Sequence, residues 1–104
     1  MIAELLVAGG LARMQVVSDE WSLVLSRQRL KAGPALIELA NFGEDDHDLR
    51  LRRKARGAQT LQVGMVHPGE QAELETLLPP GTYRLWCSLP GHAARGMRAT
   101  LVVR

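Results

Sequence analysis

The residues best able to do chemistry sit close together near the end of the chain. Of one cysteine, three histidines and four methionines, one of each lies within "C-S-L-P-G-H-A-A-R-G-M", Cys87 to Met97. Four residues separate Cys87 from His92, and four separate His92 from Met97. Thiolate, imidazole and thioether are the side chains that hold soft and borderline transition metals. A lone cysteine is also a common packing residue, because a buried thiol behaves as a small hydrophobe. With a single cysteine no internal disulfide can form, so Cys87 is either inert packing or chemistry. Which of these holds depends on where the strands around the loop point their side chains.

From Met14 onward apolar and polar residues alternate with a period of two, broken at short intervals by Gly and Pro, the pattern of an antiparallel sandwich or barrel. Trp21, Leu23 and Leu25 share one face, and Ile37 and Leu39 oppose Leu36 and Glu38. His47, Leu49 and Leu51 take one side of the next strand, while Asp48, Arg50 and Arg52 take the other. Leu61, Val63 and Met65 fall together, so Met65, like Met14, is expected in the core. Ala72, Leu74 and Thr76 alternate with Glu73 and Glu75. "P-P-G" at Pro79 to Gly81 makes a turn, after which Tyr83, Leu85 and Cys87 face one way and Arg84, Trp86 and Ser88 the other. Met97, Ala99, Leu101 and Val103 share a face on the last strand. "L-L-P-P-G-T-Y" has the form of a tyrosine corner, with the phenol of Tyr83 bonding back to the connection before its strand. His67 in "V-H-P-G" is expected at an exposed turn. Trp21 and Trp86 fall off the ligand parity.

Parity therefore turns both sulfurs, Cys87 and Met97, toward the core at one end of the molecule. His47 has the parity of Leu49 and begins its strand after the turn-rich "N-F-G-E-D-D". If that strand end lies beside the loop, two imidazoles, a thiolate and a thioether converge. Such a set is the ligand group of a blue-copper centre.

On "V-V-S-D-E-W-S-L-V-L-S", "N-F-G-E-D-D-H-D-L" and "G-T-Y-R-L-W-C-S-L-P-G-H-A-A-R-G-M-R-A-T-L-V-V", the chain from about Arg13 onward resembles the cupredoxins, the plastocyanin and azurin family. The resemblance implies an all-β Greek-key sandwich of seven to eight strands over residues 13–104, with 1–12 as an N-terminal arm, a first strand, or the remnant of a signal or tether. It implies one type 1 copper ion, Cu(I)/Cu(II), with His47, Cys87 and His92 as equatorial ligands and Met97 as the axial one. Where the family commonly has Asn after the first histidine, this chain has Asp48, expected to clamp Ser88 and to add a negative charge that favours the oxidised ion. Asp46 replaces the glycine whose carbonyl is a second axial contact in some members.

The function implied is outer-sphere one-electron transfer without substrate turnover. Redox protein partners are expected to approach His92 across an apron of Leu89, Pro90, Ala93 and Ala94. A monomer in the periplasm or otherwise outside the cytoplasm is expected, and a longer precursor could carry a membrane tether. A copper carrier using the same ligands and a metal-free structural module are the alternatives. A zinc hydrolase is opposed by Met97 at the axial spacing and by the lack of a general base. Three histidines leave no second cluster for a catalytic copper.

Bulk properties set the limits. A chain of 104 residues, 46% hydrophobic and 23% charged, makes one globular domain. A formal charge of +2 is too small to argue for nucleic acid, and no apolar run approaches a membrane span. The basic run from Arg50 to Arg56 is a solvated strand and turn or a docking patch for an acidic redox partner. No aromatic residues interleave with it, which argues against nucleic acid again.

Overall fold

Alternation of apolar and polar residues puts one face of each segment against a common core, and the computed structural model, which describes residues 10–104, shows how the segments assemble. Nine strands occur among the described residues: β1 (Ala12–Asp19), β2 (Ser22–Leu25), β3 (Arg29–Leu30), β4 (Gly33–Asn41), β5 (His47–Arg53), β6 (Thr60–Val66), β7 (Gln71–Leu78), β8 (Gly81–Trp86) and β9 (Arg98–Val103). They form a four-stranded sheet in the order β2-β1-β4-β7 and a five-stranded sheet in the order β3-β9-β8-β5-β6. The core between them is supplied by Met14, Val16, Ile37 and Leu39 from one sheet and Leu49, Leu51, Leu85 and Leu101 from the other. No helix among the described residues is long and apolar enough to cross a membrane.

Three details differ from expectation. The strand count exceeds seven to eight because β2 and β3 are very short, four and two residues. The sheets are mixed, since β1 runs parallel to β4 and β3 parallel to β9; a period of two fixes faces and is blind to direction. Met65 is 56% exposed and Val66 takes the inward place. The register passes from His47↔Val66 to Leu49↔Val63, so Gly64 and Met65 of β6 together oppose the single residue Asp48 of β5. That extra residue is a β-bulge, and it reverses the parity that would have buried Met65. The arm expected at 1–12 falls largely outside the described residues, and β1 already begins at Ala12.

The tyrosine corner is present. Tyr83 is buried and its hydroxyl donates to the carbonyl of Pro79 at 2.7 Å, fixing the connection between β7 and β8. Burial pushes the phenol above its ordinary value, against a smaller opposing effect of Arg53.

Candidate metal centre

Cys87 continues the inward alternation of β8 one residue beyond the strand, and His47 opens β5 beside it. The segment from Ser88 to Gly96 returns the chain to Met97 through a stack of tight turns. His92 N–H donates to Leu89 at 3.1 Å, Arg95 N–H to Gly91 at 3.2 Å, Gly96 N–H to Ala93 at 3.1 Å and Met97 N–H to His92 at 3.2 Å. Cys87 N–H donates to the Met97 carbonyl at 3.1 Å and closes the base of the loop. Cys87, Met97 and His47 are each fully buried, and His92 is half-buried.

Three donor atoms meet. His47 Nδ1 and His92 Nδ1 are 3.3 Å apart, Cys87 Sγ lies 3.5 Å from His92 Nδ1 and 4.0 Å from His47 Nδ1. A point about 2.1 Å from all three corners of this triangle exists, within the usual reach of metal–nitrogen and metal–thiolate bonds. The donor set and its spacing fit a copper ion, with soft sulfur and borderline imidazole on one centre.

The surroundings prepare each donor. Glu20 Oε2 lies 2.5 Å from His47 Nε2. A carboxylate only accepts, so Nε2 carries a proton and the other ring nitrogen, Nδ1, is the one that faces Cys87 and His92. The Glu44 amide, 2.6 Å from Glu20 Oε1, holds Glu20 below the ordinary carboxylate value, helped by His47 and the Asp45 amide and opposed by burial. Gly43 makes room for it, because a Cβ there would collide with the Glu20 carboxylate. Burial pushes the Cys87 thiol up, while the amides of Asp48 and Leu89 pull it down; the Asp48 N–H lies 3.5 Å from Sγ. Asp48 accepts from Ser88 twice, from the amide at 2.6 Å and from the hydroxyl, which ties β5 to the start of the loop. Asn41 is fully buried and donates to the carbonyls of Asp45 and Val66 at 2.8 and 2.9 Å while accepting from Gly43 N–H at 2.8 Å, pinning the segment that leads into His47.

Residues 53–104 match the sulfocyanin (SoxE) domain. The chain belongs to the sulfocyanin family of cupredoxins. No curated protein matches it in sequence. Among solved structures it is similar to dithionite-reduced auracyanin from Roseiflexus castenholzii, at 18% identity and a TM-score of 0.73 over 92% of this chain and 99% of that one. Auracyanin A, the "blue" copper protein of Chloroflexus aurantiacus, superposes at 18% identity and 0.73 over 91% and 100%. Rusticyanin from Thiobacillus ferrooxidans superposes at 18% and 0.66 over 88% and 77%. At these identities the likeness shows the cupredoxin fold.

Of the residues named from the sequence, His47, Cys87 and His92 bring their donor atoms together, Met97 is buried at the closing end of the loop, and Asp48 bonds Ser88. His67 stands away on an exposed turn, bonded to Asp46 at 2.7 Å, which raises its pKa. Three contributors escaped the strand pattern: Glu20, Trp21 and the anchoring role of Asn41. Asp19 pairs with Ser22, so Glu20 and Trp21 are the two central residues of a hairpin turn. Against the parity expectation, the Trp21 ring packs edge-on against His92 with centroids 4.8 Å apart, and Arg95 covers it at 4.7 Å. Gly96 lets this turn come close, since a Cβ there would lie 2.8 Å from the Trp21 carbonyl. The available signal was chemical: two-residue hairpin turns favour Asn-Gly or Asp-Gly, and Glu-Trp in that place marks side chains wanted for something else.

Proposed function

We propose that this protein is a type 1 copper electron carrier, an outer-sphere one-electron shuttle without substrate turnover, in which His47, Cys87, His92 and Met97 would hold the copper. The observation that carries the reading is the triangle of His47 Nδ1, His92 Nδ1 and Cys87 Sγ, with edges of 3.3, 3.5 and 4.0 Å, buried at one end of a stiff sandwich. Copper supplies a one-electron couple between Cu(I) and Cu(II). The protein supplies donors whose positions are already set. Glu20 fixes the ring of His47, Asp48 and Ser88 fix the strand beside Cys87, and the Met97–Cys87 backbone bond fixes the ends of the loop. Donors held this way need little rearrangement when the charge of a bound ion changes, which favours fast exchange.

Two carboxylates, Glu20 on His47 and Asp48 beside Cys87, place negative charge close to the donors and favour the more positive oxidation state. Leu89, His92 and Ala93 are half-buried and Pro90 and Ala94 exposed, so a partner can come close to the loop, with Trp21 and Arg95 as part of the surface it meets. On the same reading the protein works as a monomer outside the cytoplasm, in the periplasm, and this rests on the cupredoxin family it belongs to. Adding Cu(II) to the purified protein should produce an intense visible thiolate-to-copper band, and the band should bleach and return over repeated reduction and reoxidation with the metal retained. Loss of metal on each reduction would overturn the shuttle in favour of a delivery role.

A further inference from the structure

The outer face of the five-stranded sheet carries charges that the fold does not require. Cross-strand register aligns Arg50, Trp86 and Arg98 in one row and Arg52, Arg84 and Thr100 in the next. Arg52 and Arg84 stand directly opposite each other, and like charges in that relation destabilise a sheet. Among the described residues the only carboxylate within ion-pair distance of any of these groups is Asp48, 3.9 Å from Arg50 Nε, and that nitrogen is buried without a hydrogen-bond partner. Beside Arg50 lies a cleft of about 820 Å³ lined by Arg52, Arg53, Lys54, Arg84, Trp86 and Arg98, together with Ala93 of the ligand loop. The other sheet is opposite in sign: Glu38 faces Glu73 in register, with exposed Glu75 beyond. A net charge of +2 therefore hides a basic face and an acidic one.

The basic face also has a short covalent route to the centre. Trp86 precedes Cys87 and Arg98 follows Met97, so two residues of the row Arg50-Trp86-Arg98 are bonded neighbours of residues assigned to the metal. Trp86 is half-buried between two arginines and offers an aromatic contact amid the charge.

We propose that this cleft docks an acidic redox protein, whose carboxylates are received by Arg52, Arg84 and Arg98 around Trp86. In the exchange one electron passes between the partner's redox group and the centre at Cys87, one being oxidised as the other is reduced, with no atom or proton transferred. The proposal rests on the electron-carrier reading for its purpose and on the charge pattern for its place. Steering by such a face raises association rates and fades with ionic strength.

An octaglutamate peptide serves as the static probe and a reduced, acidic plant-type [2Fe–2S] ferredoxin as the electron donor, both with the full chain. In a ¹H–¹⁵N NMR titration at low salt, peptide shifts should map to Arg52, Arg84, Trp86 and Arg98 and vanish in Arg84→Glu. The bimolecular rate with ferredoxin, followed at the visible band, should fall about tenfold in Arg84→Glu and by much less in Arg13→Glu, which makes the same charge change on the other sheet. Shifts outside the cleft, or equal losses in the two variants, would overturn the proposal. So would tighter binding of single-stranded oligothymidylate than of the peptide, or self-association that Arg84→Glu abolishes. If Cu(II) gave no visible band the electron-carrier reading would fail on its own, and the peptide titration would still decide the surface.

Discussion

The two ends of the sandwich bury different chemistry. At the donor end lie Ser18, Asn41, His47 and Asp48, the buried polar or charged residues among those described. At Tyr83, about 13 Å from Cys87 along β8, the core closes on Leu78, Tyr83 and Val103, with a single polar bond from Tyr83 to Pro79. Burying polar groups is unfavourable unless each is bonded, and at the donor end they are: Asn41 to three backbone groups, His47 to Glu20, Asp48 to Ser88, Ser18 to the carbonyl of Ala40 at 3.3 Å. The apolar end supplies stability, and the polar end uses it to hold donor atoms at fixed positions.

The largest break in that arrangement should come from Asn41→Ala. It removes three buried bonds, each worth about 1 kcal/mol, so urea unfolding should show a loss of about 3 kcal/mol together with weaker copper binding, because the segment leading to His47 is released. Glu20→Gln is milder and more selective. The amide can still accept from Glu44 but has lost the charge on His47, so copper affinity measured by chelator competition should fall about tenfold to a hundredfold, the reduction potential should rise, and unfolding of the metal-free protein should move little.

Tyr83→Phe tests the opposite end and has the smallest effect, about 1 kcal/mol in urea unfolding with copper affinity unchanged. Its pH dependence has a definite sign. Folding raises the phenol above its ordinary value of 10.0, so the neutral form is favoured in the folded state; the contribution is fully present below that value and is lost as pH rises past it. The unfolding free energy of the parent protein should drop more steeply than that of Tyr83→Phe in alkaline solution. If Tyr83→Phe weakened copper binding as much as Glu20→Gln does, the two ends would not be independent.

Much of this was legible in the sequence. Alternation located the inward faces of β5, β8 and β9, and with them the directions of His47, Cys87 and Met97, because Cys87 and Met97 keep the alternation one residue beyond β8 and β9 and the bulge opposite His47 puts its extra residue in β6. "L-L-P-P-G-T-Y" gave the tyrosine corner from local chemistry alone. What escaped was non-local or irregular. The bulge that exposes Met65 depends on register between two strands, which a single strand's pattern does not contain. Glu20 and Trp21 lie on a hairpin turn, where parity has no meaning, and they meet His47 and His92 because that turn packs against the donor end of the other sheet. The charge separation between the two outer faces also becomes visible only when Arg52 and Arg84, far apart in sequence, are seen as cross-strand neighbours.

The most direct test of the account is the visible absorption of the protein with one equivalent of Cu(II), compared with that of Cys87→Ser. The thiolate in the triangle with His47 and His92 should give the parent an intense blue band, and the variant should be colourless while remaining folded. A Cys87→Ser protein that kept the band, or a parent that bound copper without one, would contradict the assignment of Cys87 as the ligand at the centre of this site.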